Sequence, residues 1–192
     1  ECVEKGVKTA VIISAGFGEA GGEGEKLEKE VVRIARQGGI RFVGPNCFGI
    51  INPFSNLSTT GLMSLYITPY VPKGSVAVIT QSGNLGTFML KLAFERGFGI
   101  SKFVSSGNEA DLHFEDYLEY MAEDPDTKVI VGYVEELRES RRFFEMAKKI
   151  TEKKPIVILK AGRTKTGRKA AKAHTGALVG SDDVYDACFK QA

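Results

Sequence analysis

His174 is one of two histidines in this 192-residue chain, and its surroundings set it apart. The stretch 161–182 carries five cations, Arg163, Lys165, Arg168, Lys169 and Lys172, and no acid before Asp182, although the whole chain has a formal net charge of only +2. Gly, Ala and Thr fill the rest, a composition of loops and not of cores. An imidazole is largely neutral and nucleophilic near pH 7, so it can take a phosphoryl group on a ring nitrogen. Flanking cations lower the cost of bringing phosphates close. Long loops in compact domains tend to be functional, yet a run of charge is ordinarily a solvated face. On the residues alone both readings stand.

Three other turns could do chemistry. Thr80-Gln81-Ser82-Gly83-Asn84-Leu85-Gly86 joins an apolar run directly to a helical pattern. Its glycines let backbone approach a ligand, and the unpaired N–H groups of a helix start favour anions, which makes Ser82, Gly83 and Asn84 a phosphate or oxyanion seat. Ser105-Ser106-Gly107-Asn108-Glu109-Ala110-Asp111 is a second glycine turn after an apolar run. Glu135 and Glu136 follow the run 129–134, and alternation along a strand is expected to turn them to opposite sides. Turns of this kind occur throughout α/β proteins, so none is specific by itself. His113 reads as a helix-surface histidine.

The elements that must position these residues follow from apolar periodicity. The run 9–14 and the residues 40–43 read as strands, with a helix over 24–37 closed by Gly38-Gly39. Residues 52–74, with Pro53, Pro69 and Pro72, show no sustained period and read as a crossover. Strands are then expected at 76–80, 102–105, 129–134 and 156–160, helices near 85–96, 112–122 and 139–152, and a last helix from about Ser181. Strand–helix repetition demands right-handed crossovers and a parallel sheet covered on both faces, here expected in flavodoxin-like order. In such sheets ligands sit beyond the carboxyl ends of the strands.

The composition, 43% hydrophobic and 26% charged, is that of a globular protein. The small net charge points to neither nucleic acid nor an anionic membrane, and no apolar run reaches about 18 residues. Three scattered cysteines, Cys2, Cys47 and Cys188, with no CxxC pair, fit neither a disulfide framework nor a zinc site and suit a reducing cytoplasm. No metal site is expected. The opening residues Glu1-Cys2-Val3 include no initiator Met and do not read as a signal peptide, and about fifty residues of β-α-β cannot stand alone as a doubly wound domain. The chain is therefore expected to be a fragment of a longer one.

Six ordered segments resemble NDP-forming acyl-CoA synthetases. The stretch His174-Thr175-Gly176-Ala177-Leu178-Val179-Gly180-Ser181-Asp182 is similar to the phosphohistidine segment of ADP-forming acetyl-CoA synthetases and, more distantly, of the succinyl-CoA synthetase α subunit. Gly44-Pro45-Asn46-Cys47-Phe48-Gly49 resembles the GPNCxG turn where that family's CoA-binding domain ends, and Gln81-Ser82-Gly83-Asn84-Leu85-Gly86 its QSGxLG turn. The segments 96–111, 124–130 and Tyr133-Val134-Glu135 match as well.

The resemblance implies an α/β chain. Residues 1–55 would be the C-terminal part of a Rossmann-like CoA-binding domain, 56–74 a linker, and 75–192 a flavodoxin-like domain carrying the phosphohistidine loop. It implies the reaction acyl-CoA + ADP + phosphate ⇌ carboxylic acid + CoA + ATP, through an acyl phosphate and a phosphohistidine at His174. Glu135 would accept the other ring N–H. Ser82, Gly83, Asn84, Gly107, Thr175 and Gly176 would hold phosphoryl oxygens, and Ser14, Ala15, Gly16 and Asn46 would lie along CoA. ADP/ATP and Mg2+ would belong to an ATP-grasp domain or β subunit, in an oligomeric cytoplasmic enzyme acting on a small carboxylic acid. Thr87 stands where succinyl-CoA synthetases carry Tyr, which favours a small or aryl monocarboxylate over a dicarboxylate. Glu19 and Glu23 receive no role. Two rivals are a non-catalytic CoA-binding regulatory module of an acyltransferase fusion, against which His174 counts, and a flavin- or dinucleotide-binding domain, for which no acidic ribose-binding residue is placed.

Overall fold

The computed structural model describes residues 1–60 and 71–164, together with 167, 185, 186 and 189. A first β-α-β unit comprises β1 (Thr9–Val11), α1 (Glu23–Gln37) and β2 (Arg41–Val43), with β1 and β2 parallel and Ala10 opposite Phe42. The apolar side of α1, Val31, Val32 and Ala35, packs on Ile40 and Phe42. The helix stops where expected: Gly38 N–H returns to Ile34 O, and Gly39 takes a left-handed φ of 69° that only glycine adopts freely. Among the described residues β1 has only β2 beside it, and it is shorter than the apolar run 9–14 suggests.

Among the described residues the larger sheet has six strands. β3 (Gly49–Asn52) and β4 (Leu57–Ser58) precede β5 (Lys73–Thr80), α2 (Gly83–Arg96), β6 (Ile100–Ser105), α3 (Phe114–Glu123), β7 (Val129–Val134), α4 (Ser140–Ile150) and β8 (Ile156–Lys160). The spatial order is β4-β3-β6-β5-β7-β8. β6, β5, β7 and β8 are parallel, so the four parallel strands, counted along the chain, lie in the order 2-1-3-4, the flavodoxin-like arrangement. Phe114, Leu118, Met121, Phe143 and Ala147 of α3 and α4 cover one face over Ala77, Ile79, Ile130 and Val134. Leu90 and Ala93 of α2 cover the other over Val78 and Phe103.

Two short strands depart from expectation. β3, read as part of the first unit, pairs antiparallel with β6, and β4, read as linker, pairs with β3. Asn52 makes the reversal: its Oδ1 accepts from Phe54 N and Ser55 N, Pro53 opens the 3₁₀ turn, and Asn56 takes φ 54°. Strands of four and two residues leave no legible alternation. His113 sits at the N-terminal end of α3, ahead of its first turn and not on its surface, with its N–H bonded to Asp116 Oδ2.

The two sheets are fastened by Asp111. Its fully buried carboxylate accepts from Arg36 Nε at 3.0 Å, Arg41 Nε at 2.9 Å and Phe42 N at 2.9 Å. Burial alone would raise this carboxyl, but the Phe42 N–H and the two arginines outweigh it and hold it below its ordinary range.

Candidate active-site cleft

The carboxyl ends of β5, β6 and β7, the start of α2, the turn before β3 and the first turns of α1 enclose a cleft of about 430 Å³. Ser82, Gly83 and Asn84 line it at the start of α2, where Ser82 Oγ caps Leu85 N–H at 3.4 Å. Gly107 joins them from the β6 turn with φ 63°, its Cα against the carbonyls of Pro45 and Asn46, an approach that a side chain would block. Asn46 lines the same cleft, bonded through Nδ2 to Asn108 Oδ1 at 3.2 Å. Phe48, its N–H held by Ser105 Oγ at 3.0 Å, lays its ring against Gly83 and is the only aromatic among the described lining residues.

Glu135 opens into the cleft from the end of β7 and is 8% exposed. Glu136 lines it too, against the expectation that the pair would face opposite ways. The ladder ends at Val134, so the alternation of a strand no longer governs these two positions. Both N–H groups, of Glu135 at 2.6 Å and Glu136 at 3.0 Å, donate to Gln81 Oε1. Gln81 Nε2 donates to Glu136 O at 2.7 Å and to Glu109 Oε2 at 2.9 Å. Glu109 is 2% exposed, and Ser106 Oγ and Phe114 N also reach its carboxyl. Burial lifts it to about 8 against the pull of these bonds, so it is mostly neutral at pH 7.

Several lining residues had no sequence signal. Glu28 and Lys29 come from α1, and Arg138 from the segment after Glu136. Asn108 Nδ2 donates to Glu28 Oε2 at 2.8 Å and to Glu19 Oε2, so Glu19 has a place in the site after all. Burial works to raise Glu19, but Asn108 and the N–H groups of Gly16 and Phe17 pull it below its ordinary value. Glu109 stood in a turn already singled out, and its burial was the missing fact.

The structure thus brings Glu135, Ser82, Gly83, Asn84, Gly107 and Asn46 to one cleft. Ser14, Ala15 and Gly16 are exposed and do not line it; they lie next to it in the chain, with Ser14 O accepting Asn46 N–H and Gly16 N–H donating to Glu19. Thr87 turns its hydroxyl back to Gly83 O at 3.1 Å and is not in the lining. His174, Thr175 and Gly176 lie outside the described residues. Among the described residues no cluster of His, Cys, Asp or Glu could hold a metal ion, and no helix is long and apolar enough to cross a membrane. Six carboxyl groups, Glu19, Glu25, Glu28, Glu109, Glu135 and Glu136, face two cations, Lys29 and Arg138, in the described lining.

Residues 73–192 match the family described as the succinyl-CoA ligase-like flavodoxin domain. The α subunit of ADP-forming acetate–CoA ligase II from Pyrococcus furiosus is 50% identical over 192 residues, 100% of this chain and 41% of the relative. ADP-forming acetate–CoA ligase from Methanocaldococcus jannaschii is 48% identical over all of this chain and 26% of its own length. The solved structure of acetyl-coenzyme A synthetase 1 from Candidatus Korarchaeum cryptofilum, in complex with phosphate and ADP, superposes with a TM-score of 0.91 at 41% identity, covering 99% of this chain and 40% of that one. The chain spans well under half the length of these relatives.

Proposed function

Because this chain belongs to the family of the succinyl-CoA ligase-like flavodoxin domain, we propose that it is part of an NDP-forming acyl-CoA synthetase and carries the acyl phosphate and phosphohistidine half of the reaction. The observation that supports this most is the convergence of Glu135, the Ser82–Asn84 helix start, Gly107 and Asn46 on one cleft. Residues distant in sequence meet where the acyl phosphate would form.

In this reading phosphate attacks the thioester carbonyl of acyl-CoA, releasing CoA and leaving an acyl phosphate. An imidazole nitrogen of His174 then attacks phosphorus, the carboxylate departs, and the phosphohistidine later yields ATP with ADP. Backbone N–H groups of Gly83, Asn84 and Gly107 stabilise the phosphoryl oxygens, as Thr175 and Gly176 do from the His174 side, whereas the Ser82 N–H is taken by Thr80 Oγ1. Glu135 accepts the second imidazole N–H, which fixes the tautomer and stabilises the cation that forms with the P–N bond.

The described lining is acidic, so an anionic intermediate needs positive charge from elsewhere. The four cations Lys165, Arg168, Lys169 and Lys172 supply it, Arg163 being paired with Asp186, which gives the basic loop a reason to surround His174.

Residues 1–55 provide the CoA side, the last of them as β3 between β4 and β6 of the larger sheet; 56–74 link it to the unit 75–192. Ser14, Ala15, Gly16 and Asn46 lie along CoA. The Pyrococcus relative is named a subunit α, in keeping with a partner that binds ADP or ATP with Mg2+ on an ATP-grasp fold. A cytoplasmic oligomer acting on a small monocarboxylic acid is the whole enzyme this implies, and Thr87, turned away from the cleft, offers a dicarboxylate no partner.

The test uses the intact enzyme with its nucleotide-binding partner, incubated with acetyl-CoA and labelled phosphate or with labelled ATP. Acid-labile, base-stable label should map to the His174 peptide, vanish in His174→Ala and persist in His113→Ala. Label retained in His174→Ala overturns the assignment, and a wild type that takes CoA but no label points to a regulatory CoA-binding module.

A further inference from the structure

Glu135 sits beyond the last paired residue of β7, where nothing in the sheet itself fixes the direction of the chain. Yet both sides of its backbone are held. Its N–H meets Gln81 Oε1 at 2.6 Å, and its carbonyl accepts from the buried Lys160 Nζ at 2.8 Å. The Gln81 amide is saturated: Oε1 takes two N–H groups, of Glu135 and Glu136, and Nε2 gives two hydrogens, to Glu136 O and Glu109 Oε2. Flipping the amide would set its NH2 against two donors, so the network admits one orientation.

We propose that Gln81, anchored by the buried carboxyl of Glu109, is a positioning residue that sets where Glu135 stands in the cleft. The strut is continuous. Glu109 is tied to the first N–H of α3 at Phe114 (3.1 Å) and to Ser106 Oγ (2.6 Å), and Ser106 Oγ in turn donates to Thr80 O at the end of β5. Gln81 follows Thr80 directly and spans from this anchor to the 135–136 turn. A rigid helix start and two strand ends thereby fix a turn that carries a functional carboxylate, and support of this kind decides whether such a group is placed or loose.

Glu109→Gln keeps the anchor, because its carbonyl oxygen can accept from Gln81 and Phe114 while its NH2 donates to Ser106 Oγ. Glu109→Leu removes it, and Gln81→Leu removes the strut.

The inference rests on Glu135 being the partner of the phosphorylated imidazole, and the experiment separates the two. In the intact enzyme, the rate of His174 labelling and the affinity for CoA are measured for Glu135→Gln, Gln81→Leu, Glu109→Leu, Glu109→Gln and the double variant Gln81→Leu/Glu135→Gln. Gln81→Leu and Glu109→Leu should each slow labelling by about a hundredfold, the cost of an ångström-scale displacement, with CoA affinity unchanged. Glu109→Gln should stay within about threefold of wild type by its preserved hydrogen bonds. The double variant should be no slower than Glu135→Gln alone, since a residue acting through Glu135 has nothing left to act on. Where a leucine variant does not fold, Gln81→Glu replaces it, keeping size and acceptor but not the two donors, and should lose labelling alike. Wild-type labelling with an unimpaired Glu135→Gln would defeat the assigned role of Glu135. An impaired Glu135→Gln with an unimpaired Gln81 variant, or with losses that multiply in the double variant, would defeat the positioning role.

Discussion

Replacing Asp111 by Ala should loosen the join between the β1-α1-β2 unit and the larger sheet more than any other single change there. Three donors lose their acceptor. The Phe42 N–H belongs to a residue 1% exposed and is left without a partner, which costs about 1–3 kcal/mol. Arg36 and Arg41 are 56% and 54% exposed, so water takes them back and each contributes only about 0.2–1 kcal/mol. The sum, about 1.5–5 kcal/mol, should lower Tm by about 3–20 °C for a chain of this size. Asp111→Asn keeps an acceptor for Phe42 and loses the charge, so about 1 kcal/mol is expected. The sign with pH follows from the depressed carboxyl. Its contribution is present above the ordinary value of 3.8 and is lost as pH falls through the lower folded value. Wild type and Asp111→Asn should therefore converge only in acid. Thermal unfolding between pH 3 and 7, with hydrogen exchange read at the Phe42 amide, measures both effects. Asp111→Ala unfolding within about 0.5 kcal/mol of wild type, the scale of an ordinary surface change, with Phe42 still protected, would refute the argument.

Three further outcomes are expected. Glu109 is neutral in the folded protein up to about pH 8 but ionises near 4.5 when unfolded, so its burial costs stability increasingly as pH rises between those values; Glu109→Gln should remove that slope, seen as a smaller fall in urea midpoint from pH 5 to pH 8 than in wild type. Gly107→Ala drives a Cβ into the carbonyls of Pro45 and Asn46 at a left-handed φ, and should cost at least about 2 kcal/mol by urea unfolding while weakening CoA binding. Lys102→Leu strips a buried cation, 7% exposed, from Asp124 and Asp126 and should cost about 3–5 kcal/mol, with Asp124→Asn in the same background recovering part of it.

Much of this molecule was legible from local pattern. Runs rich in β-branched residues located β5, β7 and β8, with glycine turns marking the ends of β5 and β8. β5 and β7 lie inside the sheet, where continuous apolar sequence is needed, whereas β8 is an edge strand among the described residues, with Val157 and Leu159 exposed. The helix start at Ser82 followed from the same punctuation, and the rule that ligands gather at carboxyl ends led to Ser82, Gly83, Asn84, Gly107 and Glu135, which share one cleft. The hairpin of β3 and β4 escaped notice because it is too short to show a period, and its pairing depends on an edge of β6 that lies fifty residues away.

The site itself divides along the same line. Its candidate turns were visible in sequence: Ser82, Gly83, Gly107 and Glu135 stand where a ligand could bind, though none of these turns was specific by itself and the role of Glu135 came from the family resemblance. Who meets whom was decided only by tertiary packing. Gln81 reaches Glu109 across 28 residues and the 135–136 turn across 55, and Asn108 reaches Glu28 across 80. The orientation of Glu136 changed once β7 left its ladder. The neutral state of Glu109 arose from burial among groups contributed by three separate segments. Periodicity records which side of its own element a residue takes, and desolvation and long-range hydrogen bonds exist only after the layers have closed over one another.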